Sequence, residues 1–135
     1  MRTAELLPRL RPARDGGSVA AETVLVLPAL MLLMVVGMQF AVFGLASHAA
    51  ALAAQEGGAV ARAAGGGTAM GRRTTLHDIT EIAAGVLVRP RVTFVTGPDG
   101  EVELQLSARV PTLVPGLHLS VEATSTGPAQ AFRPG

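Results

Sequence analysis

Cysteine, lysine, tryptophan and tyrosine are all missing from this 135-residue chain. Without cysteine there is no disulfide framework, no thiolate zinc site and no thiol nucleophile. Without lysine, no glycine-rich loop can end in the lysine that phosphate-binding loops require. All eleven basic residues are arginine; they are scattered, the net charge is only +1, and four phenylalanines are the whole aromatic content. A clustered basic face with aromatic readers is therefore lacking, and a nucleic-acid partner is not expected. Charged residues make up 16% of the chain against 49% hydrophobic ones, an apolar excess that ordinary soluble domains do not show. The shortage of charge is local: between Glu22 and Glu56 there is no Asp, Glu, Lys or Arg. The chain is expected to be membrane-associated at one stage of its life.

Residues 1–17 read as a short basic leader, with Arg2, Arg9, Arg11 and Arg14 against Glu5 and Asp15, and with Pro8 and Pro12 discouraging a long helix. Residues 18–46 read as a transmembrane helix whose apolar part, 24–46, is long enough at about 1.5 Å per residue to cross a hydrocarbon core of about 30 Å. Gln39 is the only strongly polar side chain in that part. Pro28 lies inside it, where it frees one backbone carbonyl and bends or merely interrupts the helix; membranes tolerate this because neighbouring groups satisfy the carbonyl. Arginines near a span are retained on the cytoplasmic side, and the leader holds four where the twenty residues after Ala46 hold only Arg62. The amino end is expected inside and everything after the span extracytoplasmic, in the inner membrane.

Residues 47–64 extend the helix. Ala46, Ala50, Ala53, Gly57, Val60 and Ala64 step by three or four and form a small apolar stripe, while His48, Gln55 and Arg62 recur every seven. Such a stripe admits close approach, and two partners fit it: the chain's own domain or another subunit. Residues 65–74, with Gly65, Gly66, Gly67 and Gly71, read as a flexible joint. Residues 75–128 read as a small α+β domain. Thr75 with Asp78 three residues later fits a helix start, and the helix should run to Ala84 and stop at Gly85. Residues 91–96, 101–110 and 117–124 read as strands. The second alternates throughout, with Val102, Leu104, Leu106, Ala108 and Val110 on one face. Gly97-Pro98-Asp99-Gly100 has the composition of a hairpin turn. Leu117, Leu119, Val121 and Ala123 should point inward from the third strand. Residues 129–135 form a tail. The expected fold is α+β, with a long amino-terminal helix packed on an antiparallel sheet of about three strands.

The informative motif is Gly17-Ser18-Val19-Ala20-Ala21-Glu22, set between the basic leader and the apolar helix. A glycine followed five residues later by glutamate and then by a long hydrophobic segment is the arrangement that prepilin peptidases recognise. The string alone is common; its position behind a leader and in front of a span makes it specific. Glu22 needs a physical account, because a carboxylate at full membrane depth costs about 2.5 to 3.5 kcal/mol unless it is solvated or paired. One account seats it in the first helical turn at headgroup level, where the helix dipole favours an anion by a few tenths of a kcal/mol. The other pairs it with a cation, which recovers the cost.

These residues resemble the TadE-like family, the pilin-like proteins of the tight-adherence, Flp-type pilus system. The resemblance is carried by Gly17 and Glu22, by Val24-Leu25-Val26-Leu27-Pro28-Ala29-Leu30, and by the Ala/Gly-rich run from Ala53 to Ala64. Members often have an aromatic residue after the glutamate, where this chain has Thr23. The resemblance implies cleavage after Gly17 by a prepilin peptidase, pairing of Glu22 with the amine of Ser18 in the same or a neighbouring subunit, and a role as a minor pilin or assembly factor. Its implied partners are the membrane, the peptidase, other pilin-like subunits and the pilus assembly platform.

Enzymatic features are not expected. His48, His77 and His118 fall on different predicted elements without the spacing of a metal pair. Asp99, Glu101 and Glu103 cluster at the hairpin but lack the spacing of a calcium loop. Ser18 has no His and Asp partners in a plausible arrangement. No cofactor, metal or small-molecule substrate is expected. Two rival readings remain: an uncleaved single-pass anchor displaying a small binding module, and a secreted protein cut at Ala49-Ala50-Ala51. The second requires an apolar region shorter than the one present, since signal peptides use roughly 7 to 15 apolar residues.

Overall fold

The computed structural model describes residues 16–130, with the side chains of residues 16 and 18–21 outside that description. The expected leader up to residue 15 and the tail from residue 131 lie outside the described residues as well. Two helices precede three strands: α1 Gly16–Arg62, α2 Thr68–Ile82, β1 Val88–Thr96, β2 Glu101–Val110 and β3 Leu119–Pro128. The chain divides into two compact units at Met34 and Val35, and α1 contributes residues to both. In the first unit, every described side chain from Glu22 to Met34 is exposed. The second unit holds the rest of α1, α2 and the sheet.

The sheet is antiparallel in the order β1-β2-β3. Phe94 pairs with Leu104, Leu106 with Ala123, and Leu104 again with Ser125. The alternation of β2 is realised in full: Val102, Leu104, Leu106, Ala108 and Val110 are all buried. Leu104, Leu106, Ala108 and Val110 join Ala46, Ala49, Ala50, Ala53 and Ala54 of α1 in one core cluster, with Ile79 and Ala83 closing it from the α2 side. Large side chains come from the sheet and small ones from the helix, so the helix lies close against the strands. Burying a leucine such as Leu104 contributes about 1.5 to 3 kcal/mol by transfer from water. The Gly97–Gly100 turn closes as composition predicts, with Gly97 N donating to Glu101 O at 2.9 Å and Gly100 at φ 76.

Several boundaries differ from the sequence reading. The segment read as a joint over residues 65–74 is already helical from Thr68, so the joint shrinks to the glycines that precede it. Thr75 is not a helix start; it is fully buried in mid-helix and its Oγ1 donates to Gly71 O at 2.9 Å. The helix also ends at Ile82, earlier than Ala84, while Gly85 adopts φ 80 just beyond it. Glycine in a helix carries a propensity penalty, and here tertiary contact overrides it: Gly71 faces α1 where no Cβ fits. β1 begins at Val88 rather than Arg91, across a register shift in which Arg89 takes φ 52 and Pro90 brings no N–H to the ladder. β3 runs from Leu119 to Pro128, so Leu117 lies in the preceding loop and is exposed, while Ser125 extends the inward face.

Candidate functional site

The motif residues sit at the start of α1. Gly17 is exposed and a Cβ there would meet nothing within 4 Å. The Gly17-Ser18 peptide lies within α1, in the first of its described turns. The Ser18 side chain lies outside the described residues. Glu22 falls in the second turn of α1 as described from Gly16, and the first of those turns holds no acidic residue. The dipole effect fades beyond the first turn, and Glu22 is exposed to whatever surrounds the helix. Glu22 and Thr23 line a shallow groove with Val26, Leu27 and Leu30. Pro28 is inside α1, so Val24 O has no donor four residues on.

Along the span, Val24, Leu25, Leu27, Met31, Leu32, Leu33 and Met34 are all more than half exposed. A helix this apolar and this uncovered is long enough to cross a membrane, and it fits a single-pass anchor.

Gln39 is different. It is 6% exposed, its Nε2 donates to Pro111 O at 3.3 Å, and its Oε1 accepts from Leu113 N at 2.7 Å. Both ends of the amide are thus spent on the loop between β2 and β3. The partners are more than seventy residues away in sequence, which is why the span alone showed only an isolated polar side chain.

The small-residue stripe packs inside the chain's own fold. Ala46, Ala50, Ala53 and Gly57 are buried, Val60 is half-buried, and Ala64 lies past the end of α1 and is exposed. Gly57 faces Thr75 and Gly71 of α2, and Gly58 faces Ser125 of β3. Sequence reasoning missed Arg62. Its Nη1 donates to Ser125 O at 3.3 Å and to Ser125 Oγ at 3.2 Å, and its carbonyl accepts from Gln130 N at 2.8 Å. A basic residue in the last turn also suits the helix dipole.

His48, His77 and His118 lie on α1, α2 and the loop before β3. Among the described residues no cluster of three or more His, Cys, Asp or Glu could hold a metal ion.

Comparison with known families agrees with the motif: the model of the family described as TadE-like protein matches residues 17–59. The match starts at the glycine of the motif and ends within the packed part of α1, so it covers less than half of the chain. That family is pilus-associated and structural, and the match points to a protein of the Tad pilus system. No curated protein and no solved structure matches the chain.

Proposed function

We propose that this chain is a minor pilin or assembly component of a Tad/Flp-type pilus, processed by a prepilin peptidase after Gly17. The single observation that carries the reading is the family match, which begins at Gly17 and runs through Glu22 and the exposed apolar helix. The precursor enters the inner membrane with the arginine-bearing leader in the cytoplasm and the sheet outside. Cleavage gives Ser18 a free amine four residues before Glu22, on the same helical face. A carboxylate that costs about 2.5 to 3.5 kcal/mol at full depth then has a cationic partner, in its own or a neighbouring subunit. The partners are the membrane, the peptidase, other pilin-like subunits and the assembly platform.

Amino-terminal sequencing of the native membrane form tests the processing step. A chain beginning at Ser18 is expected; an intact Met1 in cells with an active prepilin peptidase would overturn it.

A second reading, the uncleaved single-pass anchor displaying a binding module, is favoured by one observation: the Gly17-Ser18 bond lies within helix, whereas a peptidase needs it opened. Substituting Gly17 separates the two. An anchor is indifferent to the change, and a processed pilin accumulates at the higher mass.

A further inference from the structure

The loop between β2 and β3 is apolar and exposed. From Pro111 to Leu117 it carries no charge, and Leu113 and Leu117 are 52% and 40% exposed. It is also a built loop with part of its backbone hydrogen-bonded. Leu117 N donates to Val114 O at 3.3 Å, closing a turn with Pro115 followed by Gly116 at φ 83, the arrangement a type II turn requires. Thr112 Oγ1 donates to Leu117 O at 2.9 Å, and Gln39 takes Pro111 O and Leu113 N. Irregular backbone at membrane depth is costly unless its polar groups are satisfied, and in this loop Pro111 O, Leu113 N, Val114 O, Leu117 N and Leu117 O are.

The loop is held beside the carboxyl-terminal turns of the same apolar run that reads as the membrane span. A span of about 20 residues that begins at Glu22 or Val24 extends to the neighbourhood of residue 42. Gln39 lies inside that interval, and Val35, Val36, Met38 and Phe40 around it are exposed. Between loop and helix runs a groove of about 240 Å³, lined by Val36, Phe40 and Phe43 with the amide-bonded Gln39 on one side and by Val114, Leu117 and Leu119 on the other. The groove therefore opens on the exposed apolar surface of those turns.

We infer that the Pro111–Leu117 loop is a second membrane-contact site, which inserts Leu113 and Leu117 into the leaflet on the domain's side and takes a lipid acyl chain into the groove against Phe40 and Phe43. The extracytoplasmic domain then rests on the bilayer instead of standing off it. The inference rests on α1 being a membrane span.

The absence of cysteine makes a direct test clean, because each introduced cysteine is the only one in the chain. The full chain is reconstituted in phosphatidylglycerol–phosphatidylethanolamine vesicles with an environment-sensitive fluorophore at one of four positions: Leu33→Cys, Leu113→Cys, Leu117→Cys or Asp99→Cys. Asp99 lies in the turn at the opposite end of β2. Expected results are blue-shifted emission at 33, 113 and 117, with loss of emission when the vesicles contain lipids carrying a nitroxide on the acyl chain, and water-like unquenched emission at 99. Water-like emission at 113 and 117 with quenching at 33 would overturn the loop site and leave the span reading standing. Blue-shifted but unquenched emission at 113 and 117 would also overturn it, since protein then covers the loop. Absence of quenching at 33 would remove the span reading itself, and the loop site with it. An unlabelled Leu113→Asp, Leu117→Asp double variant provides a second readout: lipid covers the loop less well, and amide exchange at position 117 in vesicles is faster than in the parent. Exchange equal to the parent's would overturn the contact.

Discussion

Gly57 of α1 and Gly71 of α2 approach each other so closely that neither position has room for a Cβ. A Cβ on Gly71 would lie 2.6 Å from Gly57 O, and one on Gly57 would lie 2.8 Å from Gly71 O and collide with Thr75 Oγ1. The two helices meet backbone to backbone, and the buried Thr75 hydroxyl fills the remaining gap. Gly71, which read as part of a flexible joint in the sequence, is a packing requirement in the fold.

Alanine at Gly57 or Gly71 is therefore expected to destabilise the folded domain by about 1 to 3 kcal/mol through overpacking. Alanine at Gly44, where a Cβ meets nothing within 4 Å, is expected to be neutral or to stabilise by up to about 1 kcal/mol through helix propensity. Thermal unfolding of the detergent-solubilised full chain distinguishes them. Equal midpoints for Gly57→Ala and Gly44→Ala would contradict the close contact.

Gln39→Leu removes both hydrogen bonds to the β2–β3 loop and puts an apolar side chain of similar size in place of the amide. Leaving Leu113 N–H and Pro111 O unpaired is expected to cost about 1 to 3 kcal/mol and to speed amide exchange at Leu113. Unchanged exchange there would mean that the amide does not hold the loop.

Leu104 is the most enclosed large side chain of the sheet, and Leu104→Ala is expected to lose about 2 to 5 kcal/mol. Leu113→Ala, at an exposed position, is expected to change solution stability by about 0.5 kcal/mol or less. The check is denaturant unfolding of both variants, in which only the first should shift the midpoint strongly.

Arg62 and Ser125 form a pair that locks the end of α1 to β3. Arg62→Ala and Ser125→Ala should be non-additive, with a coupling of about 0.5 to 1.5 kcal/mol in a double-mutant cycle. Additive losses would show that the two side chains act independently.

Glu22→Gln is expected to leave membrane insertion intact and to lower incorporation into fibres by at least about tenfold, since losing about 1.4 kcal/mol of subunit pairing shifts an equilibrium that far. Fibre yield relative to membrane-inserted chain measures it. A yield from the Glu22→Gln variant equal to that of the parent chain would rule out a pairing role for the carboxylate.

Much of the architecture was readable along the chain because it depends on local spacing. The uninterrupted apolar run of α1, the strict alternation from Glu101 to Val110 and the Gly97–Gly100 turn each follow from residues within a few positions of one another. The Gly17 and Glu22 spacing was visible for the same reason, and the family match begins at that glycine. What escaped depends on distant partners. Thr75 looked like a helix cap because its neighbours in sequence allowed it, and it became a core residue because Gly57 lies across from it. Leu117 continued the alternating pattern on paper, but the turn through Gly116 removes it from β3.

The chain's own order of residues determined an exposed apolar helix, a following antiparallel sheet and a motif at the helix start, since these need only periodicity and composition. Only the tertiary structure decided that the small-residue stripe serves the chain's own domain and that Gln39 holds a loop. It also decided that Arg62 closes the far end. Close approach, amide pairing and burial are relations between segments tens of residues apart, and no local pattern specifies which segments will meet.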